Sequence, residues 1–376
     1  MKKHAPLQIG PLEVWPPVVL APMAGVTDVP FRALCRGFGA GLYVNQMLTA
    51  RALCERHQRT LKLAEFAADE SPRSVQLYGV DPYWTAEATK WLVEEHGVDH
   101  IDMNFGCPVK KVTKCGGGGA LPVKRNHLRA IIAATVKAAG DVPVTIKFRM
   151  GIDDDNLTYL DAGKIGEEEG VKAVALHART VEQLYSGQAD RSAIAALAEH
   201  VTTIPVLGNG DIWEAHDAIE MMAETGCDGV VIGRGCLGRP WLFRDLVDIF
   251  EGRPVQPPPT MAEVVPVIRK HAQLLVEWTE SELSLRSFRK HAVWYLTGFP
   301  VGPKIRRRMN EVTSLDELDA VLADIDPSLA LPPEAMRIPR SHSGGPKPVT
   351  LPEGWLEDPY GPAALGEEAE AIVSGG

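Results

Sequence analysis

Eight short apolar runs, spread over the first two thirds of the chain, constrain its fold more than any other feature. Most are apolar throughout, which is typical of parallel strands covered on both faces. In chain order they are VVLAP (18–22), LYVNQ (42–46), SVQLY (74–78), HIDMN (100–104), VTIKF (144–148), AVALH (173–177), IPVLG (204–208) and GVVIG (229–233). Helical patterns lie between them, so the chain is predicted to form a TIM (β/α)8 barrel.

Glycine or polar residues follow nearly every run, in the segments PMAG, NQM, QLYG, NFGCP, KFRMG, HART, GNGD and GRG. In a TIM barrel the carboxyl ends of the strands form the active-site face. Turns without a functional role are a poor explanation for glycine and polar residues at nearly every strand end. The sequence therefore predicts an enzyme whose site lies on this face.

The character of the chain changes after the predicted barrel, which we assign to residues 1–253. PVQPPPT (254–260) is a proline-rich linker. Amphipathic patterns then predict a small all-helical domain over 261–335, with helices ending near Leu283, Leu296 and Ala323. The segment 341–376 is rich in glycine, proline and acidic residues, and we expect a disordered acidic tail there.

Charge is distributed unevenly along the chain. The formal net charge of −10 argues against a general nucleic-acid binder. Two segments, 103–140 and 286–310, nevertheless lack acidic residues. Their basic residues are Lys110, Lys111, Lys114, Lys124, Arg125, Arg129 and Lys137 in the first island, and Arg286, Arg289, Lys290, Lys304, Arg306, Arg307 and Arg308 in the second. Each island is either a local site for a polyanion or a solvated helix face.

The compartment is indicated by what the sequence lacks. No apolar run approaches the ~18 residues of a membrane span, and the amino-terminal segment has no apolar stretch of the secretory kind. The six cysteines form no C-x-x-C pair, so neither a disulfide framework nor a metal site is predicted. We expect a cytoplasmic protein without a membrane or stable protein partner, and a monomer.

Two loops resemble a phosphate site. In TIM barrels the loops after strands seven and eight often bind phosphate. Here those loops carry Asn209, Gly210 and Asp211 in the first and Gly233 and Arg234 in the second. The alternative is that Asp211 simply caps a helix.

Three further strand ends carry polar side chains. Lys147 and Gln76 would project toward the barrel mouth, where the lysine suits a ligand with an electron-rich ring edge, such as a reduced flavin. Without a cofactor, Lys147 would instead pair with Asp102 or Asp211. His177, beside Arg179, is predicted to line a ligand site rather than to be a structural histidine.

The segment NFGCPVKKVTKCGGGGALP (104–122) is the most informative. Asn104 and Cys107 leave the fourth strand, and four glycines should make the loop pliable and open to a ligand. Cys107 can be a nucleophile, a metal ligand or a general acid, or else a small core residue. No partner at metal or papain-like spacing is present, and an ordinary thiol, with a pKa of about 8.5, is protonated at neutral pH.

At these residues the sequence resembles the bacterial tRNA-dihydrouridine synthase family. The resemblance covers roughly residues 20–330 and is carried by LAPMAGVTDVPFR (20–32), VQLYG (75–79), MNFGCPVKKVTK (103–114), IKFRMG (146–151), HART (177–180), GNGDI (208–212) and GCDGVVIGRGCLGRPW (226–241). It implies an FMN-dependent barrel followed by a helical tRNA-binding domain. The implied reaction reduces the C5–C6 double bond of particular tRNA uridines, with NADPH or NADH reducing the flavin.

The resemblance also implies residue roles. Pro22, Met23 and Ala24 would lie against the flavin ring, Gln76 and Lys147 at its polar edge, and His177 beside it; Asn209, Gly210, Asp211, Gly233 and Arg234 would hold its phosphate. Hydride would pass from flavin N5 to C6, and Cys107 would protonate C5. The residues expected to bind tRNA are Asn104, Lys110, Lys111, Arg179, Arg286, Arg289, Lys290, Arg306, Arg307 and Arg308.

The uridine must leave the RNA fold to reach such a site. Four residues, Arg286, Arg289, Lys290 and His291, share one predicted helix with Trp294 and Tyr295. This combination suits RNA, although both aromatics can equally be core residues. The main alternative function is a flavin barrel that acts on a small molecule, as in dihydroorotate or enoate oxidoreductases. A second is a non-catalytic RNA-binding protein that has kept the fold.

Overall fold

A closed ring of parallel strands forms the centre of the molecule. The computed structural model describes residues 5–341 and 344–363. Its strands are β1 (Leu7–Ile9), β2 (Leu12–Val14), β3 (Val18–Leu20), β4 (Leu42–Tyr43), β5 (Leu48–Thr49), β6 (Ser74–Tyr78), β7 (His100–Phe105), β8 (Val144–Arg149), β9 (Ala173–His177), β10 (Val206–Asn209) and β11 (Gly229–Ile232). Strands β3 to β11 pair in parallel in the order β4-β3-β11-β10-β9-β8-β7-β6-β5, and the predicted TIM barrel is confirmed.

The second predicted strand is interrupted. Only its first two residues form β4, and β5 begins at Leu48, beyond the predicted run LYVNQ (42–46). Val44 closes the ring through a parallel bridge to Ser74, and its N–H donates to Leu20 O (3.3 Å). The Asn45 side chain donates from Nδ2 to Leu63 O and accepts at Oδ1 from Gln76 N. The predicted run is therefore a two-residue strand followed by a polar segment, and β5 lies after it.

Helices cover the outside of the ring and continue beyond it. They are α1 (Val29–Gly37), α2 (Ala50–Cys54), α3 (Gln58–Leu63), α4 (Pro82–Glu94), α5 (Lys110–Thr113), α6 (Arg125–Ala139), α7 (Tyr159–Glu168), α8 (Arg191–His200), α9 (Ala215–Thr225), α10 (Leu242–Phe250), α11 (Met261–Thr279), α12 (Leu285–Leu296), α13 (Gly302–Glu311) and α14 (Leu315–Leu322). The predicted apolar face of α6 is buried: Leu128, Ile131, Ile132 and Ala139 lie in the barrel core, and Val136 packs against it.

The amino-terminal hairpin covers one end of the barrel. Strands β1 and β2 pair antiparallel, and Leu7, Ile9 and Val14 join a cluster that includes Val19 and Ala175 from the barrel strands. Gly10 in the turn lies against residues that immediately precede β8 and β9. The hairpin therefore covers the amino ends of the strands and leaves the opposite end open.

Four helices, α11 to α14, form a second apolar core after the irregular segment 254–260. Three helices were predicted here; α13, which carries RRR (306–308), was missed. Its signal is Pro303 in the first turn and the apolar pair Ile305 and Met309, four residues apart and both buried. The charge of this segment masked a short amphipathic helix.

Buried arginines join this helical region to the barrel and to the chain that follows. Arg239, fully buried, donates to Trp213 O (2.9 Å) in the loop after β10 and to Met336 O (2.7 Å). Arg340 donates to Trp294 O (3.2 Å) and Thr297 O (3.1 Å) at the end of α12. Guanidinium groups thus satisfy backbone carbonyls where the two cores meet.

The prediction of a disordered tail is wrong for residues 344–363. This segment returns to the barrel, and Trp355 is only 3% exposed. The prediction rested on the proline-rich and acidic composition of the segment. It did not foresee that one indole, that of Trp355, is buried among apolar side chains of the barrel loops. Residues 364–376 of the predicted tail, together with 342 and 343, lie outside the described residues. Among residues 5–341 and 344–363, no helix is both long and apolar enough to cross a bilayer.

Two histidines are buried where the helical region meets the barrel. His271 on α11 and His291 on α12 both contact Phe31 of α1. Burial lowers the pKa of His271 to about 3, and lowers that of His291 well below its usual value. Within the described chain, His271 Nε2 and His291 Nδ1 have no hydrogen-bond partner. Both rings therefore remain neutral in the folded protein at neutral pH.

Acid should weaken this junction. A histidine with a depressed folded pKa takes up its proton only on unfolding, so its contribution to stability is lost as pH falls from about 6.5 toward about 3. We expect His271→Leu to reduce the pH slope of the unfolding free energy between pH 6 and 5 by about 1.4 kcal/mol per pH unit. Urea unfolding at several pH values measures this slope.

The matched control is His57→Leu, at an exposed position. It should leave the slope unchanged. An unaltered slope in His271→Leu would contradict a buried neutral His271.

Candidate active site

A cleft opens at the carboxyl ends of the barrel strands, where the sequence predicts the site. Its empty volume is about 580 Å³, open solvent included. A smaller space of about 330 Å³ lies inside the barrel, and both spaces are lined by Pro22, Lys147 and Val231. The predicted cofactor residues that line the cleft are Pro22, Met23, Lys147, His177, Asn209, Gly210, Asp211, Gly233 and Arg234. Ala24 is exposed beside Met23, and Gln76 is buried in β6.

The loop after β10 is fixed by its aspartate. Gly210 and Asp211 both have positive φ (137° and 52°). The Asp211 carboxylate accepts from Arg179 Nη2 (2.7 Å) and from Ala189 N (2.7 Å), and lies 3.5 Å from Arg234 Nη2. The alternative that Asp211 caps a helix is wrong, because α9 begins four residues later with its own capping box, formed by Glu214 and Asp217.

Arg179 is a buried clamp, and the structure does not support its predicted direct contact with tRNA. It is 1% exposed and donates to Ser186 O (3.0 Å), Gly187 O (2.8 Å) and Asp211. A side chain enclosed in this way is out of reach of an RNA outside. Its Nη1 is buried without a partner among the described residues and lies on the side of Gly210.

Lys147 projects between the two spaces and is held by a neutral partner. Its Nζ donates to Asn209 Oδ1 (3.0 Å), while Asn209 Nδ2 donates to Val231 O (2.8 Å). Burial and the charge of Arg149 lower the pKa of Lys147 to about 8, against the opposing effect of Asp102. The alternative of a direct ion pair with an aspartate is not observed; Asn209 orients the ammonium group instead.

Cations converge on His177. Burial lowers the pKa of its imidazole well below the usual value, and the charges of Arg149, Lys147, Arg179 and Arg234 lower it further. Asp211 is the one carboxylate in the described wall of the cleft. The cleft is therefore positive within an acidic protein, and His177 is neutral there. A cleft of this charge favours an anionic ligand.

A chain of buried polar side chains runs through the barrel beneath the cleft. Asp102 accepts from Thr145 Oγ1 (2.7 Å) and Gln76 Nε2 (2.7 Å), and Asn104 Nδ2 donates to Gln76 Oε1 (2.8 Å). His100 bonds Thr145 on the other side (3.0 Å). Burial raises the pKa of Asp102 to about 6. The chain fixes the side-chain amides of both Gln76 and Asn104.

Asn104 in turn fixes the backbone that carries Cys107. Its Oδ1 accepts from the N–H groups of Gly106 (3.1 Å) and Cys107 (2.9 Å). Arg149 donates to Gly106 O (3.0 Å), and Gly119 N–H donates to Cys107 O (3.0 Å). Burial raises the pKa of the Cys107 thiol, and this effect exceeds those of the Val109 N–H and the Arg149 charge, which lower it. Cys107 is thus a fixed, protonated thiol at neutral pH.

The four glycines after Cys107 are packed rather than pliable. Residues 116–119 are all buried. A side chain on Gly116 would overlap the Trp355 ring, one on Gly117 would overlap the Tyr78 phenol, and one on Gly118 would lie 2.7 Å from Cys107 O. The glycines are required by the close approach of the protein's own groups, not by an opening for a ligand.

Sequence reasoning missed three residues around the cleft. Tyr185 and Trp213 line it, and the Arg234 guanidinium lies 4.5 Å and 5.3 Å from their ring centres. Arg149 donates to Thr180 O and Leu184 O as well as to Gly106 O. Arg149 was visible as the polar end of IKFRMG, but the bonds that define its role come from loops distant in sequence.

The basic islands are only partly available to a polyanion. Lys110 and Lys111 are exposed on α5, and Arg286 and Arg307 are exposed in the helical region. The other residues of that region that were predicted to bind tRNA contact groups of the protein itself: Arg289 binds Val312 O, Lys290 binds Gly25 O, Arg306 binds Phe299 O and Arg308 binds Asp324. Trp294 packs against the barrel core and Tyr295 is buried, so the core alternative holds for these aromatics.

Comparison with known proteins adds sequence evidence. A family model described as dihydrouridine synthase matches residues 19–329. A probable tRNA-dihydrouridine synthase of Mycobacterium tuberculosis is 55% identical, over 98% of this chain and 97% of that protein. The tRNA-dihydrouridine synthase B of Xanthomonas axonopodis pv. citri is 37% identical, over 86% of this chain and 99% of that protein.

Among solved structures, histamine dehydrogenase from Rhizobium sp. 4-9 is similar with a TM-score of 0.51 and 12% identity. The match covers 86% of this chain and 65% of the histamine dehydrogenase chain. At this identity the likeness is one of fold.

The thiol of Cys107 should titrate above an ordinary cysteine. Since burial raises its pKa, iodoacetamide should alkylate the peptide that contains Cys107 with a midpoint above pH ~8.5, the value for a free thiol. Alkylation between pH 7 and 10, resolved by peptide mass spectrometry with glutathione as reference, measures it. A midpoint at or below that of glutathione would show a thiolate-forming cysteine instead of a proton donor.

Proposed function

The chain belongs to the dihydrouridine synthase family, and from this premise we propose that it reduces uridines of tRNA to 5,6-dihydrouridine. We propose FMN as its cofactor and NADPH or NADH as the reductant. The observation that carries the proposal is a positive cleft at the strand ends together with a fixed, protonated Cys107, where the charge of Arg149 acts both on Cys107 and on His177 in the cleft wall.

The cleft residues fit a flavin phosphate. Arg234 lies in the wall, and the buried Nη1 of Arg179 lacks a partner among described residues. We propose that Gly210, Gly233 and Arg234 hold the phosphate directly. Asp211 and Asn209 were expected to do so too, but their bonds suggest positioning: Asp211 orients the two arginines and Asn209 orients Lys147.

The remaining cofactor contacts are proposed at side chains that line the cleft or lie next to it. We propose that Lys147 binds the polar edge of the ring system, with Gln76 below it, and that Pro22, Met23 and Ala24 lie along one side. His177 completes the wall as a neutral group. A bound reduced flavin supplies the hydride for C6 of the uracil ring.

Cys107 supplies the proton that C5 requires. Its thiol is protonated at neutral pH because burial raises its pKa, so the S–H bond breaks only as the C5–H bond forms. The thiolate left behind is stabilised by the Val109 N–H and by the charge of Arg149, both of which act to lower the pKa of this thiol. We propose that Asn104, whose Oδ1 accepts from the Cys107 N–H, also contacts the substrate base.

The tRNA surface is proposed at the exposed cations. Lys110 and Lys111 lie on α5, three and four residues after Cys107, and Arg286 and Arg307 lie on the helical region. These side chains can neutralise phosphates while the target base is extruded. Arg289, Lys290, Arg306 and Arg308 are proposed to shape this surface through their bonds to backbone and to Asp324.

Two further features of the described chain support the expected oligomeric state and compartment. Exposed large apolar side chains, such as Tyr83 and Leu283, are scattered over separate elements, which supports a monomer without a stable protein partner. The six cysteines of the described chain are free thiols, which supports a reducing, cytoplasmic setting.

Anaerobic single-turnover kinetics test the function. The purified protein is reduced with NADPH or NADH, and flavin reoxidation is followed with and without unmodified tRNA. We expect reoxidation only with tRNA, with dihydrouridine in the product. Cys107→Ala should slow this step by roughly 10²–10⁴-fold, the usual contribution of a general acid, while flavin reduction continues.

Cys115→Ala, in the same loop but packed against Tyr78 and Val112, is the matched control and should retain activity. A flavoprotein indifferent to tRNA would move the assignment to the small-molecule alternative. A protein that binds no flavin would favour the non-catalytic one.

The pKa of Lys147 predicts how FMN binding depends on pH. The lysine is charged below about pH 8 in the free protein, and an anionic ligand prefers the charged form. Affinity of the apoprotein for FMN should therefore be constant up to that pH and then fall by as much as tenfold per pH unit. Fluorescence titration between pH 7 and 9.5 measures it.

Lys147→Met should bind FMN more weakly and without this fall. Lys137→Met, at an exposed position on α6, is the control. An equal fall in Lys147→Met would assign the pH dependence to another group.

A further inference from the structure

The segment 344–363, here called the C-terminal strap, crosses the active-site face after the helical region. It lies beyond residue 329, where the match to the family model ends. The mechanism proposed above does not use it. Its composition predicts disorder, yet hydrogen bonds connect it to the barrel at residue 347, at Trp355 and at residues 358–360.

Trp355 is the buried centre of the strap. It is 3% exposed and clusters with Ala120, Val123, Ile152 and Val181. Its Nε1 donates to Ala120 O (2.9 Å). Ala120 and Val123 follow β7, Ile152 follows β8 and Val181 follows β9. One indole therefore joins three consecutive loops of the active-site face.

Further bonds fasten the strap on both sides of Trp355. On the amino-terminal side, Lys347 N–H donates to Glu182 O (2.9 Å). On the carboxyl-terminal side, the strap accepts bonds at three successive carbonyls from the start of α6. The donors are Lys124 Nζ to Asp358 O (2.7 Å), Arg125 N to Pro359 O (2.9 Å) and Asn126 Nδ2 to Tyr360 O (2.7 Å). These bonds hold the strap in one register over the loops.

The ring of Trp355 reaches the backbone that holds Cys107. It lies directly against Gly116, where a β-carbon would overlap it. Two residues further on, Gly118 lies against the backbone oxygen and β-carbon of Cys107. The N–H of Gly119 donates to Cys107 O. The glycine run is thus enclosed between the strap on one side and the proposed proton donor on the other.

We infer that Trp355 is a positioning residue for Cys107. Four successive glycines have wide backbone freedom, and the indole removes that freedom by filling the space above Gly116. With the run held, the bond from Gly119 fixes the Cys107 carbonyl opposite Asn104, which fixes its N–H. The role of Cys107 as donor rests on the proposed function; the positioning of its backbone does not.

Two variants of the full chain test the inference. Trp355→Ala removes the ring and the Nε1 bond, whereas Trp355→Phe keeps a ring without the bond. We expect Trp355→Ala to slow tRNA-dependent flavin reoxidation by roughly 10- to 100-fold at saturating tRNA, because a small misplacement of a reacting group has an effect of this size. Flavin reduction and the Kd for tRNA should stay unchanged. Trp355→Phe should recover most of the rate.

A second readout needs no activity. In Trp355→Ala, hydrogen exchange of residues 106–119 and the alkylation rate of Cys107 should both increase, with the cofactor site still loaded. Leu356→Ala, the neighbouring and more exposed strap residue, is the control and should change neither. If the wild type shows no tRNA-dependent reoxidation, the proposed function fails while exchange and alkylation still decide the role of Trp355.

Unchanged exchange and alkylation in Trp355→Ala would overturn the inference. So would a loss of flavin reduction equal to the loss of reoxidation, since that result would indicate general damage. Failure of Trp355→Phe to recover the rate, together with altered exchange, would likewise overturn the filling role of the ring.

Discussion

Buried guanidinium groups bonded to backbone carbonyls hold the loops of this protein together. Arg149 binds carbonyls of two different active-site loops, and Arg239 connects a barrel loop to the end of the helical region. A buried cation is costly unless its donors are satisfied. Arg149 binds three carbonyls, whereas Arg239 binds two through its Nη1 and has no partner for Nε and Nη2 among the described residues. These bonds fix the loops around the cleft.

This arrangement also explains how an acidic protein maintains a positive cleft. The net charge is −10, but the cations near His177 are buried or screened from bulk solvent by low-dielectric walls. Asp211 pairs with two of them, Arg179 and Arg234, but its single negative charge balances only one, so positive charge is left for a ligand. A local field of this kind attracts an anion close to the cleft, although the net charge of the whole protein is negative.

The repeating pattern of strands and helices was predictable because it depends on local periodicity and on burial of whole faces. The positions of Pro22, Lys147, His177 and Arg234 around one cleft followed from strand order alone. The partners of these side chains did not, because bonds such as Lys147 to Asn209 join strands far apart in sequence. The role of Arg179 was misjudged for the same reason, and the helix α13 was hidden by its charge.

Trp355 packs over the loop that follows Cys107, yet it lies far from this loop in the sequence. Ala120, to which its indole donates a hydrogen bond, precedes it by 235 positions. During synthesis the amino-terminal part of a chain emerges and folds first. The barrel can therefore close, and the helical region can dock, while the glycine run still lacks its cover. If Trp355 holds the glycine run as inferred, the backbone of Cys107 becomes fixed only in the last stage of folding, so an incomplete chain presents a barrel in which Cys107 is not yet held in place.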